Sequence, residues 1–266
     1  MKRKFALFPA LALFVSPAFA DTALAQGNNA FALALYSQLA STEKGNIFCS
    51  PYSISSALAM TYAGARGRTA EELSRALHLP PNPHAAFAEF SAALNAEGAA
   101  GEVQLSVANA LWPQQGFPFK KEFIDLTQKF YGAGLVQLDF KRPGPASQAI
   151  NAWVEKQTQG KIKDLVPASA LTPYTKLVLT NAIYFKGNWS SQFRKGNTQD
   201  QPFHLAGGKD LTVAMMHQTG RFGYLEGNDF QALELPYVGD RLSMVVLLPK
   251  NNSSLKALEG KLSQNV

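Results

Sequence analysis

The sequence predicts an α+β protein in which one strand is covered on both faces and amphipathic helices surround it. The 266 residues are 46% hydrophobic, which is enough for a sizeable core. In Lys176–Trp189 both alternating faces are largely apolar, as expected of a strand in the middle of a large sheet. Apolar residues three and four apart predict helices, for example in Asn28–Ala40 and Phe119–Tyr131.

The first twenty residues have the composition of a secretory signal. A basic start at residues 2–4 precedes the mostly apolar run Phe5–Val15, and a small-x-small cleavage site ends at Ala20. The apolar run is too short to span a bilayer. We therefore expect cleavage after Ala20 and export to the periplasm or the medium. A short mature segment at residues 21–27 and one domain over residues 28–266 would follow.

Charge and cysteine content narrow the class of protein. The formal net charge is +6, and half of it lies in the basic start. The processed chain would carry about +3, too little to indicate a nucleic-acid partner. The single cysteine, Cys49, excludes an internal disulfide and lies in an apolar run, where a buried and unreactive side chain is expected.

Asn181 is the one amide among the apolar side chains of its face of the predicted strand. A buried amide without a partner costs about 1–3 kcal/mol, so a partner is expected. Ser50 is placed to cap a helix whose first position is Pro51, and Ser53 follows three residues later on the same side. We expect both serines to contact Asn181, the alternative for Ser50 being capping alone.

The sequence contains no complete set of catalytic motifs. Ser41–Lys44 and Ser253–Lys256 match Ser-x-x-Lys, but the Ser-Asp-Asn and Lys-Thr-Gly sequences that accompany that motif are missing. Gly-x-Ser-x-Gly, His-Glu-x-x-His and glycine-rich phosphate loops do not occur. The four histidines show no metal-ligand spacing. We therefore predict no catalytic residue, no metal and no cofactor.

Several stretches resemble the serpin family of serine protease inhibitors. Residues Asn181–Trp189 resemble the family's central-strand signature Asn-Ala-Ile-Tyr-Phe-Lys-Gly-x-Trp. Phe48–Thr69 resembles Phe-x-Ser-Pro-x-Ser-Ile-x-x-Ala-Leu-x-Met followed by Gly-Ala-x-Gly-x-Thr. Ile150–Ile162 is similar to the helix that crosses the main sheet, and Met215–Gln218 to the family's Met-Met-x-Gln.

The resemblance implies a large mixed β-sheet A, smaller sheets B and C and a cluster of helices. It implies that Ser50, Ser53 and Asn181 form the shutter, the region beneath the middle of sheet A that lets its strands part. It also implies that Trp189 belongs to the breach, the end of sheet A at which the reactive loop first enters the sheet. The resemblance ends at Val266, before the family's reactive loop. We therefore expect the N-terminal portion of a serpin, with the C-terminal part and the reactive-site bond outside this chain and no inhibition by this portion alone.

The function implied is inhibition of serine proteases, with cysteine proteases as a second class. The acyl-enzyme would be trapped by a conformational change in which the reactive loop inserts into sheet A, and the full-length protein would be a monomer. The alternatives are a non-inhibitory serpin acting as carrier or chaperone, and a secreted serine hydrolase, against which the missing motifs argue.

Two kinds of surface site can also be judged from the sequence. In some serpins the helix that matches Ala85–Asn95 is basic and binds heparin. This stretch carries no Lys or Arg, so heparin binding is not expected. Asn188 and Asn252 would be glycosylated only in a host that modifies Asn-x-Ser sites.

Overall fold

The computed structural model describes residues 22–99, 103–132, 134–205, 208–250 and 255–262. The predicted signal and the glycosylation site at Asn252 lie outside these ranges. Cleavage after Ala20 and export therefore stay predictions, which N-terminal sequencing of the mature protein would check. The described residues divide into two compact units, a first unit within residues 22–35 and 46–186 and a second unit within residues 36–45, 187–250 and 255–262.

Helices and strands follow one another in the mixed order expected of an α+β protein. The helices of the described chain are α1 (Ala23–Thr42), α2 (Pro51–Gly64), α3 (Gly67–Ala76), α4 (Pro83–Ala99), α5 (Lys121–Tyr131), α6 (Pro143–Gln157) and α7 (Leu255–Glu259). The strands are β1 (Val103–Pro113), β2 (Gly134–Leu135), β3 (Leu177–Gly187), β4 (Gln199–His204), β5 (Asp210–Met215), β6 (Gly223–Glu226), β7 (Phe230–Pro236) and β8 (Ser243–Pro249). Short 3₁₀ turns lie at Ala168–Ala170 and Lys195–Asn197.

The sequence sets the ends of the two helices that border the candidate site. Before α2, Ser50 has extended backbone angles and its hydroxyl accepts a 3.2 Å bond from the Ser53 amide, while Pro51 occupies the first turn. Helix α5 stops at Gly132, whose φ of +57° lies in the left-handed region that glycine adopts without strain. Both ends therefore follow from local residue chemistry.

The sheet of the first unit has the order β2-β1-β3. Parallel pairing joins Ala110 to Gly134 and Leu111 to Leu135. Leu135–Phe140 is predicted from the sequence as a further strand, but only residue 135 of this stretch belongs to regular β2, with an isolated bridge between Gln114 and Leu138. Main-chain bonds to β1 continue beyond residue 135, since the Val136 and Leu138 amides donate to the Leu111 and Pro113 carbonyls at 3.1 and 3.0 Å. At the end of the stretch the Gln114 side chain accepts the main-chain N–H of Phe140 at 2.8 Å.

Two further expectations about strands are corrected. Strand β3 was predicted in the middle of its sheet, but among the described residues it lies at the edge and β1 occupies the middle. The apolar run that ends Asn46–Cys49 predicts a short strand, yet this stretch has no regular structure and Phe48 is 86% exposed. A strand needs a partner on each side to be central, and the described residues supply β3 with one and Asn46–Cys49 with none.

Apolar clusters cover both faces of β3, as its pattern predicts. On one face Leu177 and Leu179 pack against a cluster of α1, α2, α4, α5 and β1 side chains. On the other, Val178 packs against a cluster that includes α6 and β1 side chains. The buried members of the first are Leu24, Ala59, Met60, Phe87, Leu111 and Tyr131. Those of the second are Ala110, Trp112, Phe140, Ala146, Ile150, Val154 and Leu171.

The second unit contains two small antiparallel sheets. The hairpin β4–β5 pairs Gln199 with Met215 at one end and His204 with Asp210 at the other. Strands β6, β7 and β8 form a three-stranded sheet in that order. A 2.8 Å hydrogen bond from Tyr36 to Glu259 joins the end of α1 to α7. Across the described ranges, none of the helices combines the length and apolar character that a membrane crossing requires.

Candidate functional site

A polar cluster, which we call the amide network, interrupts the apolar face of β3 that packs on the helices. The Ser53 hydroxyl donates to Oδ1 of Asn181. Nδ2 of Asn181 donates to Oδ1 of Asn109 on β1 at 2.7 Å. Asn109 is 6% exposed, so these bonds meet the requirement that buried amides be paired. The network ties helix α2 to two neighbouring strands.

Asn109 also joins the network to the end of α5. Its Nδ2 donates to the main-chain carbonyl of Tyr131 at 3.2 Å. Because Tyr131 is the last residue of the helix, its carbonyl has no intrahelical donor and needs one from elsewhere. Asn109 was missed in the sequence analysis, although an amide within the apolar run Val107–Trp112 gives the same signal that singled out Asn181.

Ser50 and Ser53 have different partners. The contact of Ser53 with Asn181 is present, as the sequence analysis expected. The hydroxyl of Ser50 instead accepts the amide N–H of Ser53 at the start of α2, which is the capping alternative. Ser50 therefore holds the helix turn that carries Ser53, and among the described hydrogen bonds its hydroxyl makes none to Asn181.

The opposite face of β3 is closed by aromatic packing against α6. The Trp112 indole donates a 2.9 Å hydrogen bond to the buried Thr180 hydroxyl. Trp153 on α6 meets Trp112 edge to face, with ring centroids 5.9 Å apart and an interplanar angle of 83°. Trp153 therefore has a packing role, and α6 lies against the strands that carry Asn109 and Asn181.

Trp189, directly after β3, lies in an aromatic stack of the second unit. Its ring is 4.6 Å from the Tyr237 ring at an interplanar angle of 13°, and 6.2 Å from that of Phe193. Burial raises the pKa of Tyr237. The Ser191 hydroxyl donates to Oε1 of Gln218 at 3.0 Å. The stack shows how Trp189 is held and leaves its predicted role in the breach to be tested.

The remaining groups to place are the thiol of Cys49 and the side chains that could bind a metal. Cys49 is half-buried, and burial raises the pKa of its thiol, which disfavours the reactive thiolate. In the described residues no three His, Cys, Asp or Glu side chains come together as metal ligands. The amide network is a polar clasp that ties α2, β1 and β3 together.

Comparison with known proteins identifies the family. A sequence model of the family described as Serpin (serine protease inhibitor) matches residues 26–266. The chain belongs to the serpin family. An uncharacterized serpin-like protein of Thermococcus kodakarensis is 47% identical over 240 residues, which cover 88% of this chain and 55% of that protein. The leukocyte elastase inhibitor of Homo sapiens is 43% identical over 250 residues, which cover 90% and 65%.

A solved serpin structure confirms the fold class. The structure of a cleaved Serpin 42Da superimposes with a TM-score of 0.85 at 37% identity, covering 91% of this chain and 66% of that one. In this serpin, β2-β1-β3 corresponds to sheet A, β6-β7-β8 to sheet B and β4-β5 to sheet C. The α+β class predicted from the sequence is confirmed. The chain spans between about half and two thirds of the length of the relatives it matches.

Proposed function

We propose that the full-length protein is a serine protease inhibitor of the serpin class, which traps the acyl-enzyme by inserting a loop beside β3. The observation that carries this proposal is the amide network, whose side-chain bonds tie β3 to α2 and β1 at the strand beside which the loop would pair. Family membership supplies the segment and the target class.

The chemistry of this proposal requires no catalytic group from the serpin. The protease serine attacks a carbonyl of the reactive loop, an ester forms, and the loop segment beyond the cut leaves as a free amine. Insertion of the cut loop into sheet A then displaces the protease before water hydrolyses the ester. Backbone pairing of the added strand supplies the driving force, as in other cases of serpin loop insertion.

The amide network is proposed to act as the shutter in this process. Apart from the Ser50 cap, its links are side-chain hydrogen bonds, each with a net contribution of about 0.5–1.5 kcal/mol. Loss of these bonds would loosen β3 on α2 and β1 while the side chains of the two apolar clusters stay unchanged. Ser53 and Asn181 take the direct roles, and Ser50 acts through the helix turn that it caps.

Trp189 is proposed to mark the breach, where the loop first enters. Its indole is held flat against Tyr237, and the Asn188 carbonyl accepts the Val238 amide at 2.9 Å. These contacts hold the segment that directly follows β3 in place within the second unit. In the alternative role Trp189 is a large packed residue without a part in gating, and insertion kinetics of Trp189→Phe, which retains a ring, separate the two.

An elastase-type serine protease is the first target to test, because the 43% identical human relative is named as a leukocyte elastase inhibitor. The purified full-length protein is incubated with elastase, chymotrypsin and trypsin and resolved on denaturing gels. We expect a covalent adduct that survives detergent with at least one protease. A protease whose catalytic serine is replaced by alanine is the control and should give none. Cleavage of the serpin without any adduct across the panel would contradict inhibition and favour the carrier or chaperone alternative.

A further inference from the structure

After α6 the chain turns back along that helix in a segment without helix or strand structure. We call this segment, residues 159–166, the strap. The Ile162 amide donates to the buried Thr158 hydroxyl at 3.0 Å. At the end of the strap, the Val166 amide donates to Oδ1 of Asn151 at 2.9 Å, and the Val166 carbonyl accepts a bond from Nδ2 of Asn151 at 3.0 Å. One carboxamide therefore binds the main chain of Val166 as a neighbouring strand would.

Two further polar contacts join the strap to α6. The Ser147 hydroxyl donates to the Val166 carbonyl at 2.6 Å. The exposed Lys163 ammonium lies 3.1 Å from the Glu155 carboxylate. In the order in which the strap meets them, its partners are Thr158, Glu155, Asn151 and Ser147. The strap is thus fastened along its length by polar side chains.

Less apolar burial holds the strap than holds α6. Ile162 and Leu165 are 40% and 47% exposed, and Val166 packs against the second apolar cluster. Ile150 and Val154 of α6 are fully buried in that cluster. Segments with few buried apolar contacts open most readily, so the strap should open while α6 stays on the sheet.

The backbone of the strap also favours opening. Gln159 and Asp164 both have a φ of +52°, in the left-handed region where residues other than glycine are strained, aspartate less than glutamine. Such strain persists only where the surroundings hold the chain in place. Here the bonds to α6 hold it, so their loss would be accompanied by relief of strain.

We propose that the strap opens independently of α6 and that Asn151 is the positioning residue that keeps it closed. Asn151 supplies two of the hydrogen bonds that end at Val166. Opening of the strap is a local event in the first unit, and it can be measured without any protease.

The consequence for inhibition rests on the proposed function. A strand that joins β3 carries alternate side chains on each face, so half of them come to lie on the α6 side, beside Val178 and Thr180. That face is already covered by the second cluster, and Thr180 is only 5% exposed. Room for the added side chains must come from this cover. The strap, which reaches the cluster through Val166, is its weakly held part and therefore times the insertion.

Native-state hydrogen exchange of the full-length protein, read by NMR and scaled for intrinsic rates, tests the opening of the strap. In the wild type the Ile162 amide should exchange faster than the amides of Ile150 and Val154. Asn151→Ala removes two bonds at Val166 and none at Ile162, yet it should speed exchange at Ile162 by about 5- to 150-fold. The α6 amides should keep their protection, because alanine favours a helix.

A second variant and a matched control keep this test decisive. Ser147→Ala removes a single bond to Val166 and should speed exchange at Ile162 by about 2- to 10-fold. Lys156→Ala, on the exposed face of the same helix, should leave it unchanged. An Ile162 amide as protected as those of α6 in the wild type would overturn the proposal. Exchange at Ile162 that does not respond to Asn151→Ala, or rises equally along α6, would do the same.

Insertion kinetics test the consequence for inhibition. The full-length protein and its Asn151→Ala variant are mixed with the inhibited protease, and the step after acylation is followed by stopped-flow fluorescence of a label on the reactive loop. Asn151→Ala should speed this step by the factor found at Ile162 and bring the stoichiometry of inhibition closer to one. An unchanged rate would overturn the role of the strap in timing. Absence of inhibition by the wild type would refute the proposed function and leave the exchange results standing.

Discussion

At the scale of single residues, the bond between Ser53 and Asn181 should contribute measurably to stability. Asn181→Ala removes the acceptor of the Ser53 hydroxyl and the donor to Asn109 at once. Leaving such groups unpaired costs about 1–3 kcal/mol in the free energy of unfolding. Denaturant unfolding of Asn181→Ala, Ser53→Ala and the double variant in the full-length protein measures both the cost and the coupling. We expect a coupling of about 0.5–3 kcal/mol, typical of side chains in contact.

The control for this cycle is Asn197→Ala, which changes an exposed asparagine of a 3₁₀ turn in the second unit. It should stay within about 0.5 kcal/mol of the wild type, as surface substitutions usually do. Additive effects of Asn181→Ala and Ser53→Ala would mean that the two side chains act independently. The amide network would then be a set of separate contacts and would not act as one clasp.

Some members of the network could be found from the sequence and others could not. A lone amide in an apolar strand requires a partner, and a serine in the first turn of a capped helix is a suitable one, which led to Asn181 and Ser53. Asn109 carries the same signal on another strand. The bond from Asn109 to the Tyr131 carbonyl has no such signal, because tertiary packing decides which side chain reaches the last carbonyl of a helix.

At the scale of elements, α6 should hold sheet A mainly through its buried face. Ile150 is fully buried in the cluster shared with β1. Ile150→Ala should cost about 2–5 kcal/mol of unfolding free energy, and Ile150→Val about 0.5–1.5 kcal/mol. The exposed Lys156→Ala on the same helix should change little. Urea unfolding followed by tryptophan fluorescence, with Trp112 and Trp153 in contact, reports this interface. Equal effects of Ile150→Ala and Lys156→Ala would show that α6 does not depend on this face.

Helices and strands were predictable from the sequence where their pattern is local, and their neighbours were not. The alternation in Lys176–Trp189 correctly indicated a strand covered on both faces. It could not indicate how many partners that strand has, since pairing involves residues far apart in the chain. For the same reason Asn46–Cys49 looked like a strand by its apolar side chains, yet it has no strand partner among the described residues.

At the scale of the whole molecule, the structure separates two kinds of support for sheet A. Apolar clusters on the two faces of β3 resist unfolding, whereas the amide network ties α2, β1 and β3 to one another. Loss of apolar packing lowers the free energy of unfolding of the first unit as a whole. Loss of the network chiefly lowers the cost of separating the strands. A substitution in the network and one in an apolar cluster that lower the unfolding free energy equally should therefore differ in how much they speed conversion to latent or polymeric forms.

This difference gives a prediction for the full-length serpin on warming. Asn181→Ala should convert to latent or polymeric forms faster than the wild type, because the strands of sheet A part more readily while the apolar clusters stay intact. Ile150→Val, at about 0.5–1.5 kcal/mol, and Ile150→Ala, at about 2–5 kcal/mol, bracket the cost of Asn181→Ala without touching the network and serve as the controls. Native gels and residual inhibitory activity during incubation at a raised temperature measure the rates. Equal conversion rates for Asn181→Ala and Ile150→Val would show that the network contributes general stability and does not act as a shutter.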